Sequence, residues 1–312
     1  MRLLSSLLVF SFLAVAQTVQ TPPGDPVTIR VDTKLVDLPV SVTDRSGKMV
    51  IDLPQKAFKV FDNGVEQPIK VFKREDVPIS LGIIVDNSGS MKEKRQKVEI
   101  ASMDLVKASN PQDEVFVVNF NDVAYLDVPM TNSIKALEEG VARIDSRGGT
   151  AMRDAISMSI DYLKENGKRQ KKVLLVVTDG NDNASSVNLE KLVTRARQSE
   201  VLVYAIGLLS EEERREARLA KRALDALANE SGGVTFYPKS VAEVDKIALQ
   251  VAHEIRNQYT IAFSPTVPMD GSFRQVKVTV NAPGRPQVRT RAGYYATPDE
   301  QPKKTSSKTP SS

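Results

Sequence analysis

The sequence predicts an α/β protein whose centre is a doubly wound, mostly parallel six-stranded sheet, with β segments before and after it. Three observations predict this. Between about Pro78 and Gln258, short apolar runs of strand length alternate with longer helical patterns, the signature of strand–helix–strand units. Runs such as Leu174-Leu175-Val176-Val177 are apolar on both faces, as a parallel sheet covered by helices requires. On either side of this region the pattern reverts to a period of two, the repeat of half-buried strands.

The elements follow in order. Residues 1–16 read as a secretory signal peptide: Arg2, an apolar run from Leu3 to Val15, then Ala14-Val15-Ala16 as a cleavage site. That run falls short of the roughly 18 apolar residues of a membrane span, no other stretch reaches it, and no cysteine follows for lipid attachment. The expected destination is therefore periplasmic or extracellular. Residues 17–77 are β-rich. Val36, Leu38, Val40 and Val42 alternate up to the turn Asp44–Gly47, and Phe58 and Val60 alternate up to Asp62-Asn63-Gly64, with Ile69 and Val71 beyond. Asn-Gly between alternating segments marks a tight hairpin, because both central residues of its turn need positive φ.

Residues 78–258 form the α/β region. Strands are expected at Ser80–Val85, Glu114–Phe120, Val123–Val128, Lys172–Thr178, Val201–Leu208 and Val234–Tyr237. Helices are expected at Lys92–Ala108, Ser133–Ile144, Ala151–Asn166, Leu189–Ser199, Glu211–Asn229 and Val241–Asn257. Val123–Val128 follows its predecessor after only Asn121-Asp122, so it reads as an antiparallel edge strand.

Residues 259–296 return to period two: Tyr259, Ile261 and Phe263; Val276, Val278 and Val280; and, after Pro283-Gly284-Arg285-Pro286, Val288, Thr290, Ala292 and Tyr294. Each β segment alone is marginal for independent folding. Together they approach the size of an immunoglobulin-like sandwich, which suggests one discontinuous β domain interrupted by the α/β region. Two separate β appendages are the alternative. Residues 297–312, TPDEQPKKTSSKTPSS, are polar and rich in Pro, Ser and Lys, the composition of a disordered tail.

Composition narrows the chemistry. The 312 residues include no cysteine, one histidine and no tryptophan, with 43 Lys+Arg against 39 Asp+Glu. Thiol nucleophiles, thiolate zinc sites, iron–sulfur clusters and disulfides are excluded. His253 alone is left for any nucleophile–His–acid triad, and it lies off the apolar stripe Val244, Ile247, Ala248, Val251, Ile255 of its helix, which makes it a surface residue. The net charge of +4 is spread along the chain, and neither an aromatic-interleaved basic patch nor a phosphate-binding glycine loop is present, so no nucleic-acid partner is expected. Oxygen ligands remain.

Such ligands cluster at strand ends. The first α/β strand runs into Asp86-Asn87-Ser88-Gly89-Ser90, placing a carboxylate and two hydroxyls at i, i+2 and i+4 on the edge where open α/β sheets bind ligands. Ser146-Arg147-Gly148-Gly149-Thr150 precedes a helix and offers a further hydroxyl, with glycines that permit close backbone approach. Thr178-Asp179-Gly180 ends another apolar strand, bringing Asp179 to the same edge as Asp86. Asp86, Ser88, Ser90, Thr150 and Asp179 form a hard, oxygen-only set suited to Mg²⁺, Mn²⁺ or Ca²⁺.

Their order and context resemble the metal-ion-dependent adhesion site of the von Willebrand factor type A family, as in integrin inserted domains. The resemblance covers about Pro78–Gln258 and fills every ligand position. The flanking segments FKVFDNGVEQPIKVF and VRTRAGYYA resemble those of a secreted acidobacterial group related to this family. The resemblance implies that Ser88 and Ser90 bind the metal directly, that Asp86 and Asp179 act directly or through water, and that Thr150 joins when a ligand is bound. It implies Mg²⁺ as the first expectation and, as partner, a protein presenting an Asp or Glu carboxylate. Two carboxylates cancel a divalent charge while the hydroxyls are neutral, so the ion keeps an appetite for one more anionic oxygen.

No obvious catalytic group stands nearby, so the chain is not expected to be an enzyme. The alternative is a metal-dependent hydrolase of phosphatase or esterase type using the same residues, and an idle scaffold is a third reading. Asp182, the one extra carboxylate close in sequence, reads as loop-forming. Glu211-Glu212-Glu213-Arg214-Arg215 opens a solvated helix with Leu219, Ala223 and Leu227 on one face, its acidic start complementing the helix dipole. Arg147 either spaces its loop or helps to select an acidic ligand.

Overall fold

The computed structural model describes residues 35–141, 146–180, 182–209 and 214–297, all within the second of two compact units, Thr33–Ser312. The leader expected at 1–16 and the tail beyond Thr297 lie outside the described residues, as do the acidic start of the helix expected from Glu211 and the end of the one expected from Ser133.

Four strands come first: β1 (Val36–Thr43), β2 (Phe58–Asp62), β3 (Val65–Gln67) and β4 (Ile69–Lys73). The α/β region follows as β5 (Ile79–Asp86), α1 (Arg95–Lys107), β6 (Glu114–Phe120), β7 (Ala124–Thr131), α2 (Ile134–Val141), α3 (Met152–Asn166), β8 (Lys171–Thr178), α4 (Leu189–Ser199), β9 (Leu202–Gly207), α5 (Arg214–Ser231), β10 (Thr235–Phe236) and α6 (Val244–Arg256). The last strands are β11 (Tyr259–Phe263), β12 (Phe273–Val280), β13 (Gln287–Arg289) and β14 (Gly293–Tyr295).

The central sheet has six strands in the order β10-β9-β8-β5-β6-β7. All neighbours are parallel except β6 and β7, so the edge strand after Asn121-Asp122 is antiparallel as expected. Alternate side chains of β5 feed two cores. Leu81, Ile83 and Val85 pack with Val98 of α1, Leu137 of α2 and Val251 of α6, whereas Ile84 packs with Ile160 of α3, Leu192 of α4 and Leu224 of α5. Gly82 shares that second face because a Cβ there would lie 2.4 Å from Phe116 Cζ and 2.5 Å from Leu174 Cδ2. From β5 the chain passes to β6 on one side, and β8 lies on the other. That reversal opens a crevice outside the carboxyl ends of β5 and β8.

The remaining strands form two four-stranded antiparallel sheets, β13-β1-β11-β4 and β14-β12-β2-β3. Each sheet takes strands from both sides of the α/β region: β1 pairs with β11 and β13, and β2 with β12. The two sheets share one core, in which Leu38, Val40, Phe58, Val60, Tyr259, Ile261, Phe263, Val276 and Tyr294 are buried. The Asn63-Gly64 turn has φ of 46° and 83°, the paired positive values a two-residue hairpin needs. Pro68, which has no N–H to donate, separates β3 in one sheet from β4 in the other.

One detail of the helical reading is corrected. Leu219 is 43% exposed, and the buried face of α5 is Ala220, Ala223, Leu224, Leu227 and Ala228. Alanines at this spacing bring the helix close to the sheet and rotate its apolar stripe away from Leu219.

Candidate metal centre

Strand β5 is buried along its whole length and delivers Asp86, with no exposed surface, to the carboxyl edge of the sheet. There the backbone turns. Ser88 is extended, and Gly89–Met91 form one turn of 3-10 helix before α1. Asp86 Oδ1 accepts from Ser88 N–H at 2.8 Å and Oδ2 accepts from Thr178 Oγ1 at 2.5 Å. Its carboxylate therefore ties the ends of β5 and β8 together. Burial pushes the Asp86 carboxyl up to about 6, against the hydrogen bonds from Thr178 and Ser88 that pull it down. The buried Arg95 guanidinium lies within electrostatic reach of Asp86 without a hydrogen bond to it, so the carboxylate's own hydrogen bonds come from Thr178 and Ser88.

The other donors converge beside it. Ser90 Oγ donates to Asp179 Oδ1 at 2.8 Å, and Ser88 Oγ lies 3.1 Å from Ser90 Oγ. Asp179 Oδ2 accepts from the Lys94 ammonium at 2.5 Å. Asp86, Ser88, Ser90 and Asp179 thus belong to one connected polar chain running from Thr178 to Lys94. Ser90 is exposed, which opens this chain to solvent on one side.

Thr150 is 5% exposed and makes no direct hydrogen bond to that chain among the described residues. Its Oγ1 lies 3.8 Å from where a Cβ on Gly180 would stand, next to the turn that carries Asp179. The loop is locked in place from both sides. Gly149 N–H donates to Asp122 Oδ1 at 2.7 Å, Thr150 N–H donates to Asn183 Oδ1 at 2.8 Å, and Asn183 N–H returns to Thr150 O at 3.1 Å. A Cβ at Gly149 would come within 2.7 Å of Asn183 Oδ1 and 2.9 Å of Asp122 Oδ1, so the glycine is needed for this approach.

Asn87, a silent position in the sequence motif, is fully buried and joins the loops. Its N–H donates to Phe120 O at 2.7 Å, its carbonyl accepts from Arg147 N–H at 3.1 Å, and its amide meets Tyr125 OH at 3.0 Å and Ser146 Oγ at 3.3 Å. Sequence reasoning also missed Thr178 and Lys94. Thr178 stood beside Asp179 in the motif, whereas nothing in the sequence pointed to Lys94.

Asp182 behaves as loop-forming. It accepts from Arg153 N–H at 2.6 Å, from the Arg153 guanidinium at 2.9 Å and from Ser185 Oγ at 2.7 Å, capping the start of α3. His253 is exposed on α6, an element that contributes no residue to the polar chain. Arg147 is exposed at the loop surface. Among the described residues no group of three or more His, Cys, Asp and Glu stands close enough to hold a metal. Any ion here would be held by two carboxylates and by hydroxyls, and the ammonium on Asp179 is a stand-in cation already drawn to that set. The donor chemistry fits a small, hard divalent ion.

The family model for the von Willebrand factor type A domain matches residues 81–250, more than half of the chain. The chain belongs to the von Willebrand factor type A family. The mouse (Mus musculus) integrin alpha-11 is 31% identical over 110 residues, which is 33% of this chain and 9% of that protein. The human (Homo sapiens) collagen alpha-1(XXI) chain is 30% identical over 182 residues, 54% of this chain and 18% of that one. The chain therefore spans less than a fifth of these relatives. Among solved structures, proximal thread matrix protein 1 from the mussel byssus superposes with a TM-score of 0.51 at 19% identity, covering 62% of this chain and 51% of that one. This likeness concerns the fold. Domains of the family are typical of adhesion and protein-binding modules and typically hold a divalent cation at the metal-ion-dependent adhesion site.

Proposed function

We propose that this protein is an exported protein-binding module with an intact metal-ion-dependent adhesion site. Asp86, Ser88, Ser90, Thr150 and Asp179 hold one divalent cation, Mg²⁺ in the first place, with Mn²⁺ or Ca²⁺ as substitutes. The bound ion supplies an electrophilic position that an Asp or Glu carboxylate of a protein partner fills. The observation that carries the reading is the polar chain Asp86–Ser88–Ser90–Asp179 at the switch point of the sheet, buried at Asp86 and open at Ser90.

The chain's own residues do the positioning. Thr178 and Ser88 N–H orient Asp86, Asn87 joins the loops, and Asp122 and Asn183 hold the Thr150 loop against the turn at Gly180. A binding role is favoured over hydrolysis because Asp182, the nearby carboxylate, is committed to Arg153 and Ser185 and is not free as a general base. The leader expected at 1–16 gives the exported destination, and no helix among the described residues is long and apolar enough to cross a membrane. The flanking segments support membership of the secreted acidobacterial group. We also propose that residues 17–77 and 259–296 are one β-sandwich domain into which residues 78–258 are inserted. The pairing of β1 with β11 and of β2 with β12 supports it.

Retention of envelope or medium proteins from the source organism on the immobilised chain tests the function. Binding that disappears in EDTA and in Asp86→Ala is expected. Binding unchanged by EDTA contradicts it.

A further inference from the structure

The proposed metal site contains a charged group that metal binding does not call for. Lys94 lies in the turn between the 3-10 helix and α1, with its N–H bonded to Met91 O at 2.9 Å. Its ammonium contacts Asp179 Oδ2 at 2.5 Å. The Asp179 side chain is 1% exposed and that of Lys94 27%, so the ammonium reaches the carboxylate from the solvent side. On the same carboxylate, Oδ1 takes the Ser90 hydroxyl at 2.8 Å, with Ser88 Oγ 3.1 Å beyond. The ammonium therefore occupies the open side of a carboxylate whose other oxygen belongs to the cluster of donors.

We propose that Lys94 is a tethered competitor for the metal: its ammonium neutralises Asp179 in the metal-free protein and swings aside when a divalent cation enters, so that this one side chain sets the concentration at which the site loads. The inference rests on the metal-site reading. A lysine is suited to the role. Its charge is compact, its four-carbon stem is flexible, and it can leave without backbone movement. A divalent ion and an ammonium on one carboxylate repel each other, and the low local dielectric strengthens that repulsion. Metal entry then exchanges one ion pair for another instead of filling a bare anionic site.

The test is calorimetric titration of the full chain with MnCl₂ alone, at fixed pH and ionic strength. Lys94→Met is expected to bind Mn²⁺ about tenfold more tightly than the wild type, equivalent to about 1.4 kcal/mol. Lys94→Arg keeps the charge and is expected within about threefold of the wild type. Lys94→Gln gives the same reading as Lys94→Met if the latter does not fold. Equal or weaker Mn²⁺ binding after the charge is removed overturns the proposal, as does an arginine variant as tight as the methionine one. In those cases a wild type that still binds one Mn²⁺, lost in Asp86→Asn, leaves the metal site standing. Absence of Mn²⁺ binding in the wild type and Lys94→Met alike overturns both.

Discussion

Glu254 is a buried carboxylate that sequence periodicity places beside a surface histidine, and its removal has a large expected effect. It lies on α6 with 4% exposure, and its Oε1 accepts from Ser41 Oγ on β1 at 3.0 Å, from Tyr204 OH on β9 at 2.9 Å and from the Arg289 guanidinium on β13. The group thus joins the α/β region to one of the flanking sheets. Gln258 Nε2 donates to the same two hydroxyls, at 3.0 and 3.1 Å, so it cannot replace the lost acceptor through that atom. In Glu254→Ala two buried hydroxyls lose an acceptor, at about 1 kcal/mol each, and an arginine loses its charge partner. Arg289 is 26% exposed and reaches water, which limits its share to about 1 kcal/mol. The sum is about 3 kcal/mol, which for a chain of this size lowers the thermal midpoint by about 5 °C. Glu254→Gln keeps an acceptor and is expected to cost about 1 kcal/mol. Thermal and urea unfolding followed by circular dichroism measure both. A Glu254→Ala protein within about 0.5 kcal/mol of the wild type would refute the view that this carboxylate joins the two regions.

Three further outcomes are expected. Burial lowers the Lys171 amine to about 8, against the pull of Glu254, Asp76 and Asp113. Above that pH the unfolded chain still holds a proton that the folded protein has released, so stability should rise by about 2 kcal/mol from about pH 7.5 to about pH 9.5 relative to Lys171→Met; parallel urea midpoints for the two proteins would contradict it. Gly82→Ala should destabilise by about 1–3 kcal/mol, because its Cβ has no room between Phe116 and Leu174; an unchanged melting curve would show that this interface yields. Gly149→Ala should weaken Mn²⁺ binding by about tenfold through displacement of the Thr150 loop while shifting stability by less than about 1 kcal/mol; titration and melting of the same sample separate the two effects.

The fold was legible because its strands are written in local patterns. The two-sided apolar run at Leu174–Val177 and the one-sided alternation from Val36 to Val42 report burial directly. The Asp86-x-Ser-x-Ser motif was legible for a related reason: a period of two in an extended segment converts sequence spacing into spatial convergence. Residues whose roles come from tertiary contact were not legible. Asn87 lies between motif positions and acts through four partners, Phe120 of β6, Tyr125 of β7, and Ser146 and Arg147 of the loop before Thr150. Lys94 reaches Asp179 across 85 positions of sequence. Glu254 looks like an ordinary charge in an amphipathic helix until Ser41, 213 positions away, is seen against it. Leu219 fails for the converse reason: helical periodicity identifies an apolar stripe, but the closest approach of the helix to the sheet is set by its alanines.

The central claim is that Asp86, Ser88, Ser90, Thr150 and Asp179 together hold one divalent cation. Its most direct test is electron paramagnetic resonance of Mn²⁺ titrated into the metal-free chain, with Asp86→Asn as the isosteric control. One bound Mn²⁺ per chain, displaced by Mg²⁺ and absent from a folded Asp86→Asn protein, is the predicted result. A wild-type chain that leaves all Mn²⁺ free, or an Asp86→Asn chain that binds it equally well, contradicts the account.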